Sequence, residues 1–294
     1  MESRLRVNFP PDPNPRKLRF VPPPGTCDTH FHVYGPPHLF PYVEERLYTP
    51  PAAPIEHWFL VAKAVGIERG ILVQPNVHGF APAVTLDAVA RSDGRLRGMI
   101  RADPTLTTDD VKALHGKGVR GIRFNFARHL GGKFDADRFR RIVGTVAPQG
   151  WPVDLHIDAD LIEERAELIR WVPVPVVIDH FGRVDGRLGV DQPAFRVLLD
   201  LVGEGNVYVK ISGADRLMAR GTPYDNVVAL ARALIARAPD RIVWGTDWPH
   251  SNVFEPNKTP NDGDLMNMML DFAPDEAVRH KILVDNPARL FGFA

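Results

Sequence analysis

The chain predicts a single (β/α)8 barrel, an α/β TIM-barrel architecture. Three observations lead there. Eight apolar, β-branched runs alternate with eight helix-patterned runs, and no shift in composition reads as a linker between them. Histidines and aspartates fall at the ends of the runs at both extremes of the chain. Alternating β and α implies a parallel sheet, and eight units imply closure into a barrel whose active site lies at the C-terminal strand ends. An open doubly wound sheet is the runner-up. No Gly-x-Gly-x-x-Gly follows the first run, which weighs against it.

Composition sets the outer limits. The 294 residues suit one large α/β domain. Lys plus Arg equals Asp plus Glu at 36 each, so net charge gives no reason to expect nucleic acid. Apolar runs are short and interrupted, so no transmembrane span is expected, and Met1-Glu2-Ser3-Arg4-Leu5-Arg6 lacks a signal core. The lone Cys27 excludes an internal disulfide, and a cytoplasmic enzyme is the default expectation. A homo-oligomer is compatible with all of this.

Taken in order, residues 1–25 are rich in proline, ending in Pro22-Pro23-Pro24-Gly25, and read as an extended arm. Residues 26–294 read as one catalytic domain. Candidate strands are 26–33, 67–74, 95–101, 119–126, 152–158, 174–180, 206–212 and 241–247. Candidate helices are 55–65, 81–91, 107–117, 134–147, 160–170, 193–203, 223–237 and 274–284. Thr107-Thr108-Asp109-Asp110 and Pro274-Asp275-Glu276 supply caps and acidic first turns. Gly66, Gly118, Gly150 and Gly203 stand where helix C-caps fall.

Within the first strand, Asp28, His30 and His32 share one face by strand alternation, and Cys27 takes the other as packing. Closure sets this strand beside the last one, which ends in Asp247. The fifth and sixth strands end in His156 and His180. Any one of these histidines alone would be a core or capping residue. Together, His30, His32, His156 and Asp247 make a three-nitrogen, one-oxygen set for a divalent metal such as zinc, with room for water. Such an ion lowers the pKa of its water towards neutrality for attack on a carbonyl. Asp247 serves as ligand or general base, and His180 polarises the carbonyl or moves a proton. Catalysis by Asp247 and the histidines without metal remains the alternative. Arg123 stands at the strand-four position where a second metal would need a lysine or carboxylate.

Arg123, Arg128, Arg183 and Arg216 each fall just past a strand end. Their planar forks suit carboxylates and predict a small anionic substrate. Tyr48, Asn76 and Asn252 are candidate substrate contacts, while His78 and Ser251 read more simply as loop residues. Lys210 reads as part of an ordinary barrel strand, with Schiff-base chemistry as an unsupported option.

Asp28-Thr-His30-Phe-His32, Val177-Ile-Asp-His180, Trp244-Gly-Thr-Asp247-Trp-Pro-His250 and Asp285-Asn-Pro-Ala-Arg289-Leu-Phe together resemble the amidohydrolase superfamily. Within it they look most like the branch of 2-pyrone-4,6-dicarboxylate lactonases and 4-sulfomuconolactone hydrolases. The similarity runs through nearly the whole chain after the arm, including Gly121-Ile-Arg-Phe-Asn-Phe126 and His180-Phe-Gly-Arg183. The resemblance implies an amidohydrolase-type barrel that hydrolyses a lactone ester in aromatic catabolism. It implies Asp247 as the base for water and His30, His32 and His180 as carbonyl-facing groups. It implies Tyr48, Arg123, Arg183 and Arg216 as holders of substrate carboxylates. Two departures stand out. The pyrone-dicarboxylate lactonases work without metal and carry a tyrosine where this chain has His156, and an arginine of the loop after strand four is displaced to Ala127-Arg128-His129. Both shift the expectation towards a related carboxylated or sulfonated muconolactone. A metal-dependent decarboxylase of a related aromatic or semialdehyde acid is the second reading, favoured by His156. A non-enzymatic anion-binding barrel is the third, opposed by the intact His/Asp constellation.

Overall fold

The protein is described here from a computed structural model covering residues 5–131, 133–217, 224–255 and 257–293. Eight parallel strands run in sequence order: Cys27–Phe31, Arg69–Val73, Leu96–Arg101, Val119–Asn125, Val153–His156, Val176–Ile178, Val207–Lys210 and Ile242–Val243. Each is shorter than its sequence pattern because the strand-end residues turn out of the ladder into the loops that build the site. The two ends of the sheet meet. Thr29 N–H donates to Trp244 O at 2.9 Å, Asp247 N–H to His30 O at 2.8 Å and His32 N–H to Trp248 O at 2.7 Å.

The helices pack outside by their apolar faces. In Ala136–Val146, Phe139, Ile142, Val143 and Val146 are buried at spacings of three and four. In Ile55–Ala64, Trp58 stacks on Phe31 of the first strand at 4.1 Å. Inside the barrel, Cys27, Ile71, Met99, Val177 and Val243 form a separate apolar cluster with Leu290 and Phe291 of the last helix, Asn286–Phe291. Burial pushes the Cys27 thiol far above its ordinary pKa, as expected of a packing residue.

Several expectations need adjusting. The 160–170 helix divides into Ala159–Glu164 and Ala166–Trp171 at Arg165. The 274–284 helix runs as Glu276–His280, capped by Asp275, and then widens to a π-turn over Lys281–Asp285. Position 223 lies outside the described residues, and the helix there is Val228–Arg237. Asp262–Asn267 and Met269–Phe272 are further helices that the periodicity did not reveal. Gly66, Gly118 and Gly150 have positive φ, whereas Gly203 stays helical and the left-handed turn falls at Gly205. Thr107 and Asp110 form the reciprocal cap expected of their sequence.

The arm lies on its own barrel. Asn267 and Asn261 accept the backbone N–H groups of Arg19 and Arg16 at 2.7 and 2.8 Å. Arg6–Val7 pairs in parallel with Tyr48–Thr49.

Candidate active site

Strand alternation brings His30 and His32 to one side but not Asp28. The register of the first strand shifts between Asp28 and Phe31. Asp28 instead accepts from Trp58 Nε1 at 3.2 Å, Thr246 Oγ1 at 2.6 Å, Thr246 N–H at 2.9 Å and His30 N–H at 3.0 Å. It joins the first strand to the last, and burial raises its pKa to about 6. Gly245 makes this approach feasible, since a Cβ there would lie 2.7 Å from the His30 nitrogen.

The junction delivers the reactive groups. Asp247, turned by a φ of 63°, has Oδ1 3.6 Å from the Nε2 of both His30 and His32. The tautomer of His32 follows from its other nitrogen, which lies 2.7 Å from Val73 O. A carbonyl only accepts, so Nδ1 carries the proton and Nε2 presents a lone pair. Burial, then the Arg123 charge, drops the His32 pKa to about 3, so the ring is neutral. Burial also lowers His30 and His180 well below the ordinary range. His180 Nδ1 lies 2.9 Å from Ser212 Oγ, and its ring is 4.6 Å from that of His30. Burial raises the Asp247 carboxyl, while Arg216 opposes this by donating Nε to Asp247 Oδ2.

Beneath the histidines lies a charge network that sequence reasoning missed. Lys210 is fully buried and donates to Asp154, with Asp179 Oδ1 at 3.0 Å and His30 Nδ1 at 3.1 Å. Arg123 donates through Nε and Nη2 to Asp179 Oδ2 at 2.9 and 2.7 Å. Burial favours protonation of Asp179, but Lys210, His30 and Arg123 outweigh it and hold the carboxyl well below its usual value. Asp154 is pushed up to about 7, by burial first and then by Asp179. The available signal was Asp154 standing two residues before His156 on one strand, and Asp179 preceding His180.

Tyr48, Asn76, Arg123, Arg183, Arg216 and Asn252 all line the cavity above these groups, as do His156, Tyr34 and Ser251. Tyr34, missed in the sequence, bonds Tyr48 through their hydroxyls at 2.8 Å and also bonds Ser251. Arg183 donates to Asp158 at 2.9 Å and approaches His156 Nε2 at 3.5 Å and His129 Nδ1 at 3.3 Å. Arg128 does not face the cavity. It is exposed and turned to Asp160 at 2.6 Å, and His129 lines the wall instead. The inner cavity is narrow, about 40 Å³, and an outer basin of about 1000 Å³ shares Arg183, Arg216, His129 and Asn252 with it.

Among the described residues, His30, His180 and Asp247 place potential ligand atoms within 4.8 Å of one another. His30 Nε2 is buried with no hydrogen-bond partner. Two neutral imidazoles and a carboxylate are a suitable donor set for one divalent cation. Of the expected ligands, His32 and His156 are outside this group, and His180 stands in it instead. A second group, His30, Asp154 and Asp179, already surrounds the Lys210 ammonium.

The chain is 47% identical to a 4-sulfomuconolactone hydrolase of Rhizobium radiobacter over 98% of both chains. It is 49% identical to another of that name from Hydrogenophaga intermedia, over 94% of this chain and 91% of the relative. A 2-pyrone-4,6-dicarboxylate hydrolase of Comamonas testosteroni is 36% identical, with 95% of this chain and 93% of the relative covered. A solved apo structure from Agrobacterium tumefaciens superposes with a TM-score of 0.85 at 30% identity, covering 94% of this chain and 99% of the other. The amidohydrolase family model matches residues 27–293. The barrel, its closing His/Asp junction and these matches place the chain in the amidohydrolase family.

Proposed function

We propose that this protein hydrolyses the ester bond of a small anionic lactone, carboxylated or sulfonated, of the kind produced in aromatic catabolism. The observation that carries the reading is the convergence of Asp247 Oδ1 with the Nε2 atoms of His30 and His32 at 3.6 Å, beneath a mouth lined by Arg123, Arg183 and Arg216. The names of the relatives, lactone hydrolases at 36–49% identity, support the same chemistry.

Asp247 takes a proton from water as the water attacks the lactone carbonyl. Its burial raises the basicity of the carboxylate, and Arg216 keeps it ionised. The His32 lone pair accepts the second proton of the same water as a hydrogen bond, which fixes the direction of attack. His180, held by Ser212 at 2.9 Å, adjoins the developing oxyanion, and Asp247 returns the proton it took from water to the leaving oxygen as the tetrahedral intermediate collapses. The arginines, with Tyr48, Asn76 and Asn252, orient the anionic groups of the ring. His30, His180 and Asp247 would hold a divalent metal, zinc being our first choice, with His32 adjacent. When bound, it would polarise the carbonyl and lower the pKa of water.

The test is ultraviolet-monitored hydrolysis of a panel of muconolactones and pyrone dicarboxylate, on matched samples with and without chelator. We expect ring opening of at least one anionic lactone, abolished by chelation and restored by zinc. Turnover that survives chelation with no detectable metal would assign the chemistry to Asp247 and the histidines alone. Carbon dioxide release from a related acid, with no lactone opened, would replace the proposal with a decarboxylase.

A further inference from the structure

A second cavity, of about 300 Å³, opens at the barrel mouth between the ends of the third and fourth strands. Phe80, Phe126 and Phe139 supply apolar walls, and the polar lining includes Arg101, Lys133, Arg138 and Asn125, with Asp135 the one carboxylate among the lining residues. Arg123 and Leu130 separate it from the catalytic cavity, lining both.

Arg101 is what distinguishes this cavity. The cations beside the catalytic cavity are matched by acids: Lys210 by Asp154, Arg123 by Asp179, Arg216 by Asp247 and Arg183 by Asp158. Arg101 is partly buried, and no carboxylate among the described residues lies within 4.0 Å of it. Its guanidinium instead sits 4.4 Å from the centre of the Phe80 ring, which is 38% exposed, and Arg138 lies 6.0 Å from the same ring. Burial, then repulsion by Arg123 and Arg138, lowers its pKa to about 10, against a smaller opposing pull from Asp103. A guanidinium in a recess needs an anion, and an exposed aromatic beside it favours a flat, apolar body on that anion.

We propose that this cavity is a separate binding site for a small planar aromatic anion, a carboxylate or sulfonate, whose charged group pairs with Arg101 and whose ring lies against Phe80. The site is independent of the catalytic chemistry and does not rest on the lactonase reading. Because Arg123 forms part of both walls, an occupant would sit directly against a residue of the catalytic mouth.

The experiment is calorimetric titration of the full-length protein with benzenesulfonate. Binding to the parent protein is expected, weakened about tenfold or more in Arg101→Met, the scale of one lost charge-assisted pair. Arg101→Met retains the apolar stem. Arg138→Gln, on the outer helix, serves as a second variant with a smaller loss, and Phe80→Ala tests the ring contact. Equal affinity in Arg101→Met and Arg138→Gln, or no binding to the parent, would overturn the proposal. Loss of binding in Arg216→Gln with retention in Arg101→Met would also overturn it, by moving the probe to the catalytic mouth.

Discussion

Lys210 Nζ stands 3.1 Å from Nδ1 of His30, on the opposite edge of the ring from Asp247, and both residues are fully buried. The lysine is thus a support for the His30 ring and for two carboxylates, not a free amine. Lys210→Met should therefore remove the ammonium that Asp154 and Asp179 share, leaving Arg123 beside them. Removing one partner of a buried ion pair costs about 3–5 kcal/mol, so a large drop in the urea midpoint is expected. Borohydride treatment in the presence of a carbonyl compound should trap no adduct. A stable Lys210→Met variant would mean that Asp154 is already neutral and needs no partner.

Asp247→Asn keeps the shape of the side chain and removes its basicity. Turnover should fall by about 10²–10⁴, the usual contribution of a positioned proton acceptor. Affinity for an anionic product should persist or rise, because Arg216 loses its internal carboxylate. Comparing kcat with the product Kd separates the two effects, and near-normal kcat would remove Asp247 from the chemistry.

His250 pairs with Asp262 at 3.2 Å, both buried, tying the loop after the last strand to Asp262–Asn267. Burial lowers the His250 pKa, but the Asp262 charge outweighs it and the net shift is upward. A raised folded-state value means that the pair stabilises fully below the unfolded histidine pKa, about 6.5, and that this contribution is lost as pH rises through the folded value. The Tm gap between the parent and Asp262→Asn should therefore be widest below pH ~6.5 and narrow on the alkaline side. A gap that grows with pH would reverse the assignment.

Asn8 of the arm is 3% exposed. Its side chain accepts from Val253 N–H at 2.9 Å and donates to His250 O at 3.3 Å. Asn8→Ala should cost about 1–3 kcal/mol by leaving buried backbone groups unpaired. The same loop carries Ser251 and Asn252, so KM should rise more than kcat falls. A variant altered in Tm alone would confine the arm to a purely structural part.

Much of this was legible beforehand, for identifiable reasons. Strand order and closure followed from the count of alternating units, because a parallel sheet of eight has few other solutions. Closure then set His30 and His32 against Asp247 without any contact being visible in the sequence. Asp28 was misplaced because a one-residue register shift reverses side-chain facing, and no residue type announces it. Arg128, expected at the cavity, turns to Asp160 while His129 lines the wall, because loop residues carry no period. The Lys210 network was hidden because Asp154, Asp179 and Lys210 lie on three strands and each looks ordinary in its own.

The stitch between Asp28 and Thr246 spans 218 residues, and that between Arg16 and Asn261 spans 245. During synthesis the first strand emerges long before the segment that completes it. Its free edge, with the backbone groups that later pair with Trp244 and Trp248, must wait for almost the entire chain. Such distant pairings slow the search for the native state, since loop-closure entropy is lost before the contacts form. Weakening the Asp28–Thr246 junction should therefore lower soluble yield in the cell more than it lowers the melting temperature of protein that has already folded.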